Sequence, residues 1–199
     1  MLKHFSTFGF IIVLIFGYCT SGQHPVAESS GQKTTQDSLA LAADLVKRGE
    51  YLVGILGCSD CHSPKRMGAQ GPEIIPELLL SGYQGNQPIP PFDSKLTAQG
   101  FALFVPDLTA AKGPWGVTFA ANLTPDDTGI GSWSEEQFIK ALTRGISKGL
   151  DNNRPLLPPM PWQNYQNMQA EDLKAVFAYL KSIPAVKNNV PAPIPPDQM

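Results

Sequence analysis

The segment Cys58-Ser59-Asp60-Cys61-His62 constrains this chain more than any other stretch of it. Two thiols spaced C-x-x-C, with an imidazole directly after the second, form the attachment signature of c-type haem. The logic is geometric: the spacing sets both sulfurs to form thioethers with the haem vinyl groups, and the adjacent imidazole comes under the iron as proximal ligand. Competing uses of the same residues lack what they need. A structural zinc site takes a full tetrahedral ligand set, yet the remaining cysteine is Cys19 and the remaining histidines are His4 and His24, all near the N-terminus. A thioredoxin-type pair sits between a strand and a helix, whereas here a helical pattern precedes the motif and a Pro/Gly-rich stretch follows. A plain Cys58–Cys61 disulfide leaves His62 without a role. One covalent haem c is therefore expected, at Cys58 and Cys61 with His62 on the iron, and the lack of another such motif excludes a second haem on this chain.

The other face of the iron needs a ligand or stays open. Met67 lies too close in sequence to His62 to cross to the opposite haem face, Met168 leads straight into a helical pattern, and Met199 falls in the tail. Met160 differs, because it sits in Leu156-Leu157-Pro158-Pro159-Met160-Pro161-Trp162, where prolines fix an extended backbone and stiffen the loop. A methionine with no such setting more often fills a core gap. Given a haem, Met160 is the expected distal ligand, making the iron six-coordinate and low-spin. A ligating imidazole usually donates its other N–H to a carbonyl. Gly71-Pro72 lies where that carbonyl can come from, and equally suits a simple turn.

Around these residues the chain divides readily. Lys3 and His4, the apolar run Phe8 to Tyr18 and the small polar Thr20, Ser21 and Gly22 make residues 1–22 an export signal, too short in its apolar part to span a bilayer comfortably. Cleavage near Gly22 is one outcome. A lipoprotein cut just before Cys19, with a lipid anchor on its thiol, is the other, although Tyr18 stands where such sites favour a small residue. Residues 23–43 are polar enough to be a flexible linker. A single haem-binding domain is expected over 44–190, followed by a Pro-rich tail, 191–199. Within the domain, Leu45, Tyr51, Leu52, Ile55 and Leu56 recur at helical spacing before Gly57. Ser134 with Gln137 is a capping-box pattern ahead of Phe138, Ile139, Leu142 and Ile146. A last helix is expected from about Ala170 to Ile183, ended by Pro184. Short apolar runs at 101–105 and 117–121 suit either strands or buried loop. A net charge of -2 and a pI near 5.9, with no basic block longer than Lys47-Arg48 or Lys65-Arg66, exclude a nucleic-acid footprint.

With these motifs the chain resembles the class I cytochromes c, in particular the haem domains of cytochrome subunits of bacterial alcohol and sugar dehydrogenases. The likeness runs from about Leu45 to Pro191. It is carried by Arg48-Gly49-Glu50-Tyr51-Leu52 ahead of the cysteine motif, Gly113-Pro114-Trp115-Gly116, Asn122-Leu123-Thr124-Pro125-Asp126, Thr128-Gly129-Ile130-Gly131, Pro158-Pro159-Met160-Pro161 and Asp172 through Leu180. The resemblance implies an all-α fold in which first and last helices cross around one haem, with Pro72 as carbonyl partner of His62. Two departures stand out: a loop-rich insertion over about 76–116, and a single haem where those subunits carry several. The function expected is extracytoplasmic electron transfer, periplasmic or lipid-anchored, between redox proteins such as a dehydrogenase and an oxidase or reductase, without catalysis. The alternative is a haem sensor with a labile distal ligand. A haem peroxidase lacks the usual distal acid-base group, since no histidine follows His62.

Overall fold

The computed structural model describes residues 29–198. The expected export signal over residues 1–22, with Cys19, and Met199 lie outside the described residues.

Two helices make the frame. The first, α1 (Ser29–Ile55), is followed by the short α2 (Cys58–His62), and the last, α5 (Ala170–Ser182), packs across α1. Their crossing is close because α1 presents Gly49: a Cβ there would lie 1.9 Å from the carbonyl oxygen of Ala175 and 2.7 Å from Cβ of Tyr179. Leu52, Val53 and Leu56 continue the Gly49 face at i+3, i+4 and i+7, and they join Ala175, Val176 and Leu180 in the core. Tyr51 and Ile55 point to solvent. Arg48 and Asp172 pair at 2.9 Å beside the crossing, on the exposed rim. Helix α1 begins well before the expected start at Asp44. Leu39 to Leu45 is rich in strong helix formers, which carries the helix through residues expected as linker. Side chains 36–45 are exposed along that extension, and no helix of the described residues is long and apolar enough to cross a membrane.

Helix α4 (Glu135–Arg144) follows a short helix, α3 (Ser94–Ala98). Its capping box is formed: Ser134 Oγ accepts from the Gln137 amide while Gln137 Oε1 accepts from the Ser134 amide, at 3.1 and 3.0 Å. Gly145, at φ 63°, ends it in the left-handed conformation. Phe138 anchors α4 to the core and its ring lies 5.2 Å from that of Phe177 on α5.

The all-α expectation holds only loosely, because the described residues also form five strands. A hairpin, β1 (Lys65–Gly68) with β2 (Gly71–Ile74), follows the cysteine motif directly, and a separate antiparallel sheet orders β3 (Leu103–Phe104), β4 (Ala110–Gly113) and β5 (Gly116–Phe119). The stretch 76–116 is thus partly folded into a sheet. The tail closes it: Ile194 exchanges backbone hydrogen bonds of 2.8 and 2.9 Å with Val117. Pro193 and Pro195 flank Ile194 and have no N–H to give, so pairing is confined to that residue. The tail is part of the fold.

Gly49→Ala and Gly54→Ala test the crossing as a pair, since a Cβ at Gly54 meets nothing within 4 Å. In urea denaturation Gly54→Ala is expected to stabilise by up to about 1 kcal/mol through helix propensity. Gly49→Ala is expected to lose ~1–3 kcal/mol because α1 and α5 must separate. Equal stabilisation by both would rule out close packing at Gly49.

Candidate haem site

His62 ends α2 with its Nδ1 2.7 Å from the carbonyl oxygen of Ala121, in the segment that continues β5. A carbonyl only accepts, so Nδ1 carries the proton and Nε2 keeps a free lone pair. The surrounding protein holds the imidazole pKa below its ordinary value, with the Ala121 bond opposing that shift. A neutral ring with Nε2 unprotonated is the form that binds a metal.

Ala121 is held in place from several sides. The segment 80–83 threads between His62 and the residues after β5: Leu80 N donates to Ser63 Oγ, Gly82 N to His62 O, Tyr83 N to Ala120 O, and Leu80 O accepts from Leu123 N. Gly82, at φ 75°, is needed there, since a Cβ would lie 2.4 Å from the Ala120 carbonyl. On the following residue, Asn122 Oδ1 accepts from the amide and hydroxyl of Thr124, and its Nδ2 donates to Val186 O at 2.8 Å. Pro72 is not the carbonyl partner. It stands exposed in β2 opposite Met67, because the chain after the cysteine motif turns back as a hairpin, leaving the post-β5 segment to approach the ring.

Cys58 and Cys61 are free and half-buried. Burial pushes the Cys58 thiol up to about 11 and raises Cys61 as well, with Asp60 adding to both shifts. Both are neutral thiols at pH 7. Lys65, which the sequence presents only as half of a basic pair, fixes this turn: its Nζ donates to the carbonyls of Asp60, Ser63 and Asp107 at 2.6, 3.1 and 2.9 Å. The ammonium saturates the carbonyl end of α2 and straps it to the loop before β4.

Met160 is half-buried in the loop between α4 and α5. Of the rival methionines, Met67 is 74% exposed in β1 and Met168 packs against the core. The Met160 loop is anchored at both ends. Upstream, Leu156 N donates to Gly145 O at 2.6 Å and Thr118 Oγ1 to Pro158 O at 2.9 Å. Downstream, Trp162 packs against Gly145, where a Cβ would come within 2.3 Å of the indole, and buried Tyr165 donates to Leu56 O at 3.3 Å, just ahead of Cys58. Burial raises the Tyr165 phenol pKa, with Cys58 and Cys61 adding to the shift, and the bond to Leu56 O sets the downstream anchor two residues from the cysteine turn.

The cytochrome c family model matches residues 46–184. The chain belongs to the cytochrome c family. Over 136 residues it is 35% identical to the gluconate 2-dehydrogenase cytochrome c subunit of Pantoea cypripedii, which covers 68% of this chain and 22% of that protein. It is 28% identical over 155 residues to the fructose dehydrogenase cytochrome subunit of Gluconobacter japonicus, 74% of this chain and 24% of that one. The cytochrome c subunit of the quinone-dependent alcohol dehydrogenase of Gluconobacter oxydans is 27% identical over 136 residues, 68% of this chain and 20% of that protein. The chain thus spans about a quarter or less of the length of these relatives.

Membership of the cytochrome c family implies covalently bound haem c. The residues present fit it. Paired thiols and an imidazole with Nε2 free are the donor set that such a group takes. A further sign is Trp115, in the β4–β5 turn: its Nε1 is the buried side-chain polar atom left without a hydrogen-bond partner among the described residues. An indole N–H only donates, and a carboxylate of the haem is a matching acceptor. Gly113 lets this ring fold back, since a Cβ there would lie 2.4 Å from Trp115 Cη2.

Lys65→Met is expected to lower stability by ~1–3 kcal/mol, because the carbonyls of Asp60, Ser63 and Asp107 lose a shared charged donor. The urea midpoint reads this, and no change in it would show the strap to be dispensable.

Proposed function

We propose that this chain is a mono-haem class I c-type cytochrome that carries electrons between extracytoplasmic redox partners, without substrate chemistry of its own. Cys58 and Cys61 hold the haem by thioethers, His62 Nε2 is the proximal iron ligand and Met160 the distal one. The haem supplies one-electron Fe(III)/Fe(II) chemistry when bound. The observation that carries this reading is the His62 Nδ1 to Ala121 carbonyl bond of 2.7 Å, which frees Nε2 of the imidazole in a C-x-x-C-H turn.

The protein's residues do the rest. Ala121 sets the tautomer and orientation of His62 and adds to the basicity of the ring as a ligand. The Pro158-Pro159-Met160-Pro161 stretch presents a thioether, a soft neutral donor that favours the reduced metal relative to a second imidazole. Trp115 Nε1, the buried side-chain polar atom without a partner among the described residues, would serve as a donor to a carboxylate of the haem when that group is bound. The cytochrome subunits that resemble this chain are named for gluconate and fructose dehydrogenases, which supports a dehydrogenase as electron donor, with an oxidase or reductase as acceptor. Export, by a signal over residues 1–22 with Cys19 available for a lipid anchor, puts the chain in the periplasm or on its membrane face.

Purified full-length protein is expected to keep its haem through denaturing electrophoresis and to show a c-type spectrum with a sulfur-to-iron charge-transfer band when oxidised. Met160→Ala removes that band and lowers the midpoint potential while haem attachment persists. A wild-type protein without covalent haem would sink the proposal. Rapid CO uptake by the reduced wild-type protein at neutral pH would replace the carrier with a ligand-binding module.

A further inference from the structure

The stretch Pro158 to Pro161 is unusual in what it cannot do. Its three prolines have no N–H, and the Met160 amide is spent inside the loop on Leu157 O at 3.3 Å. The stretch can therefore be tied to the rest of the fold only by its carbonyls, accepting from a donor elsewhere. Pro161 O accepts from Asn164 N at 3.0 Å, which ties the stretch only to the 3-10 turn directly after it. The donor that reaches it from another part of the described fold is Thr118 of β5, whose Oγ1 lies 2.9 Å from Pro158 O. The same hydroxyl is 3.4 Å from Ala111 O across the β4–β5 pair. It has one proton, and the shorter contact to Pro158 takes it. Thr118 is buried at 7% exposure, so water does not substitute readily.

Three residues further along, Ala121 holds His62. The backbone between these points is pinned on both sides, Ala120 N donating to Thr109 O at 2.8 Å and Ala120 O accepting from Tyr83 N at 3.0 Å. One braced segment, 118–121, therefore grips the proximal imidazole at one end and the methionine loop at the other.

We propose that Thr118 is a positioning residue for Met160, and that the β4–β5 hairpin serves to fix the two axial side chains relative to one another through the pair Thr118–Pro158 and His62–Ala121. This rests on Met160 being the distal ligand. Thr118 touches no metal. It holds the loop so that the thioether stays where the His62 side of the site expects it, and without it Met160 spends more time away.

The test uses the haem-loaded full-length protein with Thr118→Val, Thr118→Ser and Met160→Ala. Valine keeps the shape and strand propensity of Thr118 and deletes the donor, whereas serine keeps the donor. Thr118→Val is expected to lose the charge-transfer band at a lower temperature than wild type and, while still folded by far-UV circular dichroism, to take up CO in the reduced state about fivefold faster, as loss of one buried hydrogen bond implies. Thr118→Ser is expected to restore wild-type CO uptake. A purely structural role would shift the unfolding midpoint and leave CO uptake of the folded protein unchanged, which overturns the proposal, as does equal behaviour of the valine and serine variants. Should Thr118→Val not fold, Thr118→Cys, with a weak donor of similar size, takes its place: CO uptake above wild type supports the positioning role and wild-type uptake overturns it. If wild-type protein shows no band and takes up CO as fast as Met160→Ala does, the distal-ligand reading fails, and the Thr118 proposal fails with it.

Discussion

The hydrogen bond from His62 to Ala121 is the constraint around which the other parts of this fold are arranged. An imidazole on a short helical turn is free to rotate and to choose either tautomer. Fixing it takes an acceptor that is itself immobile. The protein provides one by layering backbone on backbone: segment 80–83 is clamped between the cysteine turn and residues 120–123, and Asn122, next to the acceptor, is locked to Thr124 and Val186. Each of these layers links parts of the chain that are not neighbours in sequence, so the carbonyl position is a property of the whole domain.

The insertion gains a physical meaning from this. Without 76–116 there would be no β4 to pair with β5, no Thr109 carbonyl to receive the Ala120 amide and no 80–83 strap. Asn188, near the C-terminal end, adds to it by donating to Ser81 O and Tyr83 O while accepting from the Gly85 amide. Even the tail takes part, since Ile194 covers the free edge of β5 through Val117. A stretch dense in Gly and Pro is thus organised less by its own secondary structure than by the elements it is pinned between.

Those long-range ties also explain which parts were legible in the sequence. The cysteine motif, the capping box of α4 and the amphipathic run of α5 depend on residues within a turn or two of each other, and periodicity or spacing reveals them. The Gly49 face of α1 was half legible: Leu52 and Leu56 stood out, but Tyr51 and Ile55 share their apolar character while facing water, and the glycine that decides the crossing has no hydrophobic signal. The small sheet was ambiguous because its strands are two to four residues long, too short for alternation to separate them from buried loop. The His62 acceptor was not legible at all. Any residue supplies a carbonyl, Ala121 has no side-chain chemistry to mark it, and both nearness to the motif and the family resemblance point instead to Pro72. Lys65 and Thr118 were hidden for the same reason, their partners being backbone oxygens contributed by distant residues.

Proline makes the distinction between stiffness and placement concrete. Fixed φ angles narrow the conformations of Pro158-Pro159-Met160-Pro161, which is why the sequence alone singles out Met160. A stiff segment is not yet a placed one, because stiffness without hydrogen-bond donors leaves the segment free to pivot as a unit. Placement comes from outside, from Gly145, whose missing side chain admits Trp162, from the Thr118 hydroxyl on Pro158, and from Tyr165 against Leu56 beside the thiols. The tail follows the same rule, Ile194 supplying the N–H that its proline neighbours lack. In this chain the prolines limit how each segment can bend, and the donors and glycines of other elements decide where it rests.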